Sequence, residues 1–147
     1  MPVTVDLLCK VFDGLSRGST ESFLRHVSDD VDWTVMGTHP LAGRYRTKES
    51  FRAATFDRLE PLMRAGMRLI VEHVLVDGDW AVVELRSEAT TKSGKPFENC
   101  YCWVMRFENG LVTQVRAYLD SALVRDLVGG TLVANDFVTT SSLRRGA

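Results

Sequence analysis

Two phenols, a carboxamide and a carboxylate stand close together in the second half of the chain, on stretches that read as neighbouring strands. In "FENCYCWVMRF" strict alternation puts Phe97, Asn99, Tyr101, Trp103 and Met105 on one strand face, with Cys100, Cys102 and Val104 on the other. In the next strand Arg116, Tyr118 and Asp120 share a face if no bulge intervenes. Antiparallel neighbours of this kind would bring Asn99, Tyr101, Tyr118 and Asp120 toward one space walled by Trp33, Trp103 and Met105. Apolar walls with a few placed polar groups suit a small organic ligand. An aspartate in such walls acquires a raised pKa, which a proton-shuttling group near neutrality requires. The chemistry would be acid–base: Asp120 as general acid or base, Tyr101 and Asn99 orienting an oxygen. Asp120 also stands where a helix cap belongs, and tyrosine hydroxyls on a buried sheet face can reach backbone partners.

Other candidates come from two further stretches. "DWTVMGTHPLAGRYRTKESF", residues 32–51, runs from strand residues (Trp33, Thr34, Val35, Met36) through Gly37 into a loop carrying His39. Taken by themselves, Trp33 suits a core aromatic and His39 a surface loop residue. In "ELRSE", Arg86 and Glu88 are two apart and share one strand face, inside a pocket or on a solvated surface.

The elements that must position these groups are legible from periodicity. Leu8, Val11, Phe12 and Leu15 at i, i+3, i+4, i+7 predict an amphipathic helix ending at Gly18. "STESFLRHV" predicts a second short helix capped by Ser19 or Thr20, and a strand follows from Asp30 to Gly37. Residues 47–65 carry a third helical pattern, with Thr47 as cap and Pro61 kinking or ending it. Beyond Gly66 the pattern changes to four strands joined at Asp77-Gly78, Ser93-Gly94 and Asn109-Gly110, the turn signals of an antiparallel meander. Helices followed by a sheet that buries one face on them is the α+β arrangement. One domain over 1–128 and a weakly specified tail over 129–147 are expected.

Bulk composition narrows the function classes. The 147 residues fit one domain with a real core. Eighteen Lys and Arg against 19 Asp and Glu give a formal net charge of −1, without the basic excess of a nucleic-acid binder. Cys9, Cys100 and Cys102 form no disulfide pattern, and the N-terminus is not signal-like, so a cytoplasmic location is expected. A lone CxC without a nearby histidine makes no metal site, and no apolar run approaches the roughly 20 residues that cross a bilayer. Neither metal nor cofactor is expected.

This order of elements, with "VFDGLSRGSTESFLRHVSDDVDWTV", "HPLAGRYRTKESF" and "RFENGLVTQVRAYLDSALV", resembles the nuclear transport factor 2-like superfamily, and within it the SnoaL-like branch. The resemblance runs over roughly residues 5 to 128. It implies a cone: N-terminal helices packed into a strongly curved antiparallel sheet around an internal pocket. The fold hosts isomerases, cyclases, epoxide hydrolases and binding proteins alike.

The steroid-isomerase pattern puts its base at Val35 or Met36, its helix tyrosine at Val11 or Phe12 and its late acid at Trp103, and none of these can transfer a proton. The epoxide-hydrolase pattern keeps Arg86 and Glu88 but has Ala117 where its second acid belongs. The polyketide-cyclase pattern asks for an acid at the end of the last strand, within one residue of Asp120. The resemblance therefore implies a cofactor-independent isomerase, cyclase or lyase acting on a hydrophobic polyketide-, steroid- or terpenoid-like molecule. Asp120, His39 and Tyr101 would be catalytic; Trp33, Met36, Arg86, Glu88, Asn99, Trp103 and Tyr118 would bind substrate. The alternative is a non-catalytic binding or dimerisation module. These folds pair sheet to sheet, so a homodimer through the outer face carrying Cys100, Cys102 and Val104 is expected.

Overall fold

The computed structural model describes residues 2–129, so all but the first position of the expected 129–147 tail lies outside the described residues. Helix α1 (Val5–Ser16) begins where the Thr4 hydroxyl accepts the Leu7 N–H, and it buries Leu8, Val11, Phe12 and Leu15. Helix α2 (Thr20–Leu24) follows at once, capped by Ser19 and burying Phe23 and Leu24. The two helices meet at Gly14, where an added Cβ would collide with the Ser22 side chain.

Strand β1 (Val27–Val35) begins earlier than its apolar pattern predicts. Inside "HPLAGRYRTKESF" a short strand β2 (Gly43–Tyr45) pairs antiparallel to it, and Arg44 meets Asp32 across the pair at 2.7 Å.

The third helical pattern is broken into three pieces: α3 (Lys48–Ala54), α4 (Phe56–Leu59) and a 3-10 turn (Glu60–Leu62). Pro61 sits in that last turn, as its missing N–H suggests. The first break comes earlier, at Thr55, whose backbone leaves helical geometry while its hydroxyl donates to Phe51 O at 2.7 Å. Lys48 Nζ donates to Leu24 O and Val27 O, both at 3.0 Å, tying the start of α3 to the α2–β1 corner.

Strands β3 (Arg68–Asp77), β4 (Trp80–Glu88), β5 (Cys100–Glu108) and β6 (Leu111–Leu119) form the expected meander. The six-stranded sheet has the order β2-β1-β6-β5-β4-β3. Every pairing is antiparallel except β1 with β6, which run parallel, a pairing that the long connection between them permits. Register shifts in β3, at the β5–β6 pair and at the β1–β6 pair bend the ribbon, and the sheet wraps the helices without closing.

Its inner face is a ring cluster. Trp33 stacks on Phe51 with centroids 3.9 Å apart and meets Trp103 edge-on at 5.1 Å; Phe23 lies 5.8 Å from Trp103 and Phe12 5.5 Å from Phe23. Among the described residues no helix is long and apolar enough to cross a membrane.

The β6–α5 joint is fastened by one buried side chain. Asn99 Oδ1 accepts the Asp120 N–H at 2.9 Å, and Asn99 Nδ2 donates to Asp120 O at 3.2 Å. Asp120 in turn caps the one-turn helix α5 (Ser121–Val124), its Oδ1 accepting the Ala122 and Leu123 N–H groups; a π-type turn, Arg125–Gly129, follows. Asn99→Ala removes two hydrogen bonds inside the protein and is expected to cost about 2–3 kcal/mol. Asp120→Ala removes an exposed cap worth about 1 kcal/mol. Urea denaturation of the two variants checks the order, and equal losses would contradict it.

Candidate functional site

The inner faces of β1, β5 and β6 and the helices α3 and α4 leave a small apolar cavity between them, and Val124 of α5 adds to its wall. Its volume is about 50 Å³, and its wall includes Trp33, Phe51, Phe56, Leu119 and Val124. Among the described residues that line it, five side chains carry nitrogen or oxygen: Trp33, His39, Thr55, Tyr101 and Trp103. Of the residues the sequence singled out, Trp33, His39, Tyr101 and Trp103 are thus brought together; the others lie elsewhere.

Tyr101 and Trp103 arrive by plain alternation along β5, opposite Leu119 and Ala117 of β6. Tyr101 is partly buried, and desolvation pushes its pKa well above the ordinary tyrosine value, the Ser87 hydroxyl pulling the other way. Tyr101 therefore stays protonated throughout the neutral range. Ser87, fully buried and unremarked in the sequence, donates to Phe97 O at 3.0 Å and accepts the Asn99 N–H at 2.7 Å. The signal for it was present: Ala81, Val83, Leu85 and Ser87 occupy one face of β4 by period two.

His39 is buried rather than a surface loop residue. The Leu41 N–H donates to its Nδ1 at 3.2 Å, which leaves the ring proton on Nε2 to donate to Met36 O at 3.1 Å. Both nitrogens are therefore spent on the loop that follows β1, and burial holds the imidazole below its ordinary pKa. Gly37, at φ +114°, lets this loop pass so close to Ser121 that any side chain there would strike its hydroxyl. The loop and α5 thus meet beside the cavity, to whose wall His39 and Val124 contribute.

The remaining candidates have other places. Met36 is half-buried outside the cavity wall and continues the β1–β6 ladder, its N–H donating to Ala117 O at 2.9 Å. Asn99 has both amide atoms engaged at Asp120. Asp120 is exposed and acts as the α5 cap, the plainer of its two sequence readings.

Tyr118 corrects an expectation. It shares a face with Arg116 as alternation predicts, but that face is the outer one, because the β5–β6 register sets Tyr118 opposite Cys102 and Leu119 opposite Tyr101. The extra residue in β6 near Thr113, where the register shifts, decides which alternating set turns inward. Arg86 and Glu88 are outer-face residues too. They pair with each other and with Glu72 and Arg68, and Arg86 holds the Glu88 carboxyl below the usual range.

A wider open cleft of about 750 Å³ lies between α2 and α3, with two ion pairs at it: Arg52 meets Glu21 and Lys48 meets Asp29, each at 3.2 Å. Among the described residues no three His, Cys, Asp or Glu side chains come together to hold a metal ion.

The depressed pKa of His39 makes the fold sensitive to acid. A group held neutral in the folded state stabilises it fully above its ordinary pKa of 6.5, and that contribution is lost as pH falls through the lowered folded value. His39→Gln is expected to lose less stability than the unaltered protein as pH falls below 6.5. Urea midpoints measured across that range check this, and identical pH dependence in the two would contradict it.

Comparison with known proteins agrees with this architecture. The model of the SnoaL-like domain matches residues 9–115. Dimerizing cyclase phiC of Fungal sp. (strain ATCC 74256) is 30% identical over 121 residues, covering 80% of this chain and 53% of that protein. Dimerizing cyclase tstC of Talaromyces stipitatus is 30% identical over 108 residues, covering 71% and 48% respectively. The chain thus spans about half the length of these curated relatives. Among solved structures, an NTF2-like protein of Burkholderia thailandensis superposes with a TM-score of 0.70 at 22% identity, covering 83% of this chain and 94% of that one. The helices, the bent six-stranded sheet, the ring-lined interior and the match over residues 9–115 lead to one conclusion: this chain belongs to the SnoaL-like domain family.

Proposed function

We propose that this chain is a cofactor-independent enzyme of the cyclase type that folds a hydrophobic small molecule inside the cone. The observation that carries the reading is the small apolar cavity walled by Trp33, Trp103 and Phe51, with Tyr101 among its lining residues. The curated relatives' name, dimerizing cyclase, supports the same reaction class.

The groups at hand favour ring closure by confinement over proton abstraction. Among the described residues no carboxylate belongs to the cavity wall, and both His39 nitrogens are occupied. What the site offers is positioning, which holds the two reacting ends of a flexible chain together, and exclusion of water. Tyr101 adds a hydrogen bond to an oxygen that gains negative charge as the bond forms. A cavity of about 50 Å³ is well below the roughly 300–1,000 Å³ of ordinary ligand sites. A substrate must therefore displace Val124, so α5 is the part that yields on entry.

Tyr101→Phe is expected to lower turnover of polyketide- or terpenoid-like chains about 100-fold while raising KM less than about tenfold. Product of unchanged mass followed by chromatography and mass spectrometry reads this, and unchanged turnover would remove Tyr101 from the chemistry.

A second reading, pairing of two copies through the outer sheet face, has its own support. Leu75, Val82 and Val104 line up across β3, β4 and β5, with Leu75 58% exposed and Tyr118 42% exposed on the same face. A solvent-facing apolar row of this kind suits a self-complementary contact about a two-fold axis. Light scattering is expected to give a dimer at micromolar concentration and a monomer for Val82→Lys; a monomeric unaltered protein would dismiss this pairing.

A further inference from the structure

Strand β3 ends the sheet on one side. It is hydrogen-bonded to β4 alone, and among the described residues its main chain makes no hydrogen bond beyond that ladder. The opposite edge, β2, has three residues, and a very short strand is a common way to blunt an edge; β3 has ten. Of the six large apolar side chains exposed among the described residues, Leu75 and Val76 lie on β3, and Val5 borders the groove between α1 and β3. Each half of β3 runs from a basic residue through three apolar ones to an acidic one: Arg68 to Glu72, then His73 to Asp77. Set antiparallel to its own copy, the strand therefore puts basic against acidic and apolar against apolar. Arg68 meets Asp77, Leu69 meets Val76, Ile70 meets Leu75, Val71 meets Val74 and Glu72 meets His73.

Residues opposite one another in a sheet must share a face. Leu69 and Val76 are an odd number of positions apart, so plain alternation would put them on opposite faces. Glu72 removes the conflict. It has no partner in β4, and this extra residue shifts the alternation, so Leu69, Val71, Val74 and Val76 all stand opposite inner-face residues of β4. Arg68, Ile70, Leu75 and Asp77 stand opposite its outer-face residues. Arg68, Glu72 and His73 also meet Glu88, Arg86 and Glu84 of β4 at 3.2, 3.0 and 3.2 Å, yet each stays about half exposed. A second copy extends these pairs without breaking them. We propose that β3 pairs with the β3 of a second copy in this register, about a two-fold axis between residues 72 and 73, so that two sheets run on as one. Charges commonly keep an edge strand single by repelling its like; in this order they attract it. The contact is separate from the outer-face pairing, whose row runs over Val82 and Val104.

A single strand pair is a small contact of the weak class, under about 1,200 Å², so it is expected to form well above micromolar concentration. Sedimentation velocity up to about 1 mM, where weak contacts assemble, reads it on Val82→Lys, which leaves β3 intact. This variant is expected to pass from monomer to dimer within the series, and Val82→Lys with Val76→Lys to stay monomeric. Val76 is 42% exposed, so the folded monomer accommodates a lysine there. In the Val82→Lys protein, Arg68→Asp or Asp77→Arg alone should weaken the dimer about tenfold, since each sets two like charges opposite one another twice per pair. Both together should restore it to within about threefold, a rescue that only this register produces. Val82→Lys remaining monomeric throughout, a dimer that survives Val76→Lys, or a double exchange that restores nothing would each overturn the inference. The outer-face pair is read separately, on the unaltered protein at micromolar concentration, so either contact can fail without the other.

Discussion

The indole of Trp33 is the contact on which the rest of the molecule depends. It projects from β1, stacks on Phe51 of α3 at 3.9 Å and meets Trp103 of β5 edge-on at 5.1 Å. One side chain therefore joins the helical layer to two strands that are not neighbours in the sheet. Ring pairs of this geometry add to the large apolar area each ring buries, so the cluster sets both the spacing of the layers and the cavity between them. Because protein interiors pack at nearly crystalline density, a space of about 50 Å³ persists only where flat, rigid rings cannot interlock completely.

The same economy governs the open end of the cone. Asn99 clamps the Asp120 peptide, Asp120 caps α5, Gly37 lets the β1 loop pass under Ser121, and His39 pins that loop to its own backbone. Each polar side chain there serves the main chain first. The result is a lid of only one helical turn whose attachment is firm at Asp120 and whose apolar contribution to the cavity is Val124. A short segment attached at one point opens at lower cost than the core.

Much of this was legible from residue order. The i, i+3, i+4, i+7 spacing of α1 has no competing reading, and the Asp-Gly and Asn-Gly turns punctuate the meander where the hairpins form. Trp33 and Trp103 could be placed inward because each shares its strand face with a further apolar residue, Val35 for one and Met105 for the other. The break in the third helix was only half visible. Pro61 announced its end, but the departure at Thr55 has no proline or glycine to mark it; it comes from a hydroxyl donating to the preceding turn while Phe51 and Phe56 both turn to the core. The parallel pairing of β1 with β6 was not visible at all, because a strand's partner across nearly the whole chain is chosen by packing and not by local spacing.

What residue order alone could settle was which side chains share a face, since that follows from the fixed periods of helix and strand. Which face turns inward was decided by register, a property of two strands and not of one. Arg116 and Tyr118 stayed together as alternation requires, yet one extra residue in β6 sent both outward and turned Ala117 and Leu119 toward the rings. Likewise, whether Asn99, His39 and Asp120 would face a guest or their own backbone could not be read from their types, which suit both. Only the assembled fold assigns those hydrogen bonds, because each partner is a main-chain group brought alongside by the meeting of distant segments.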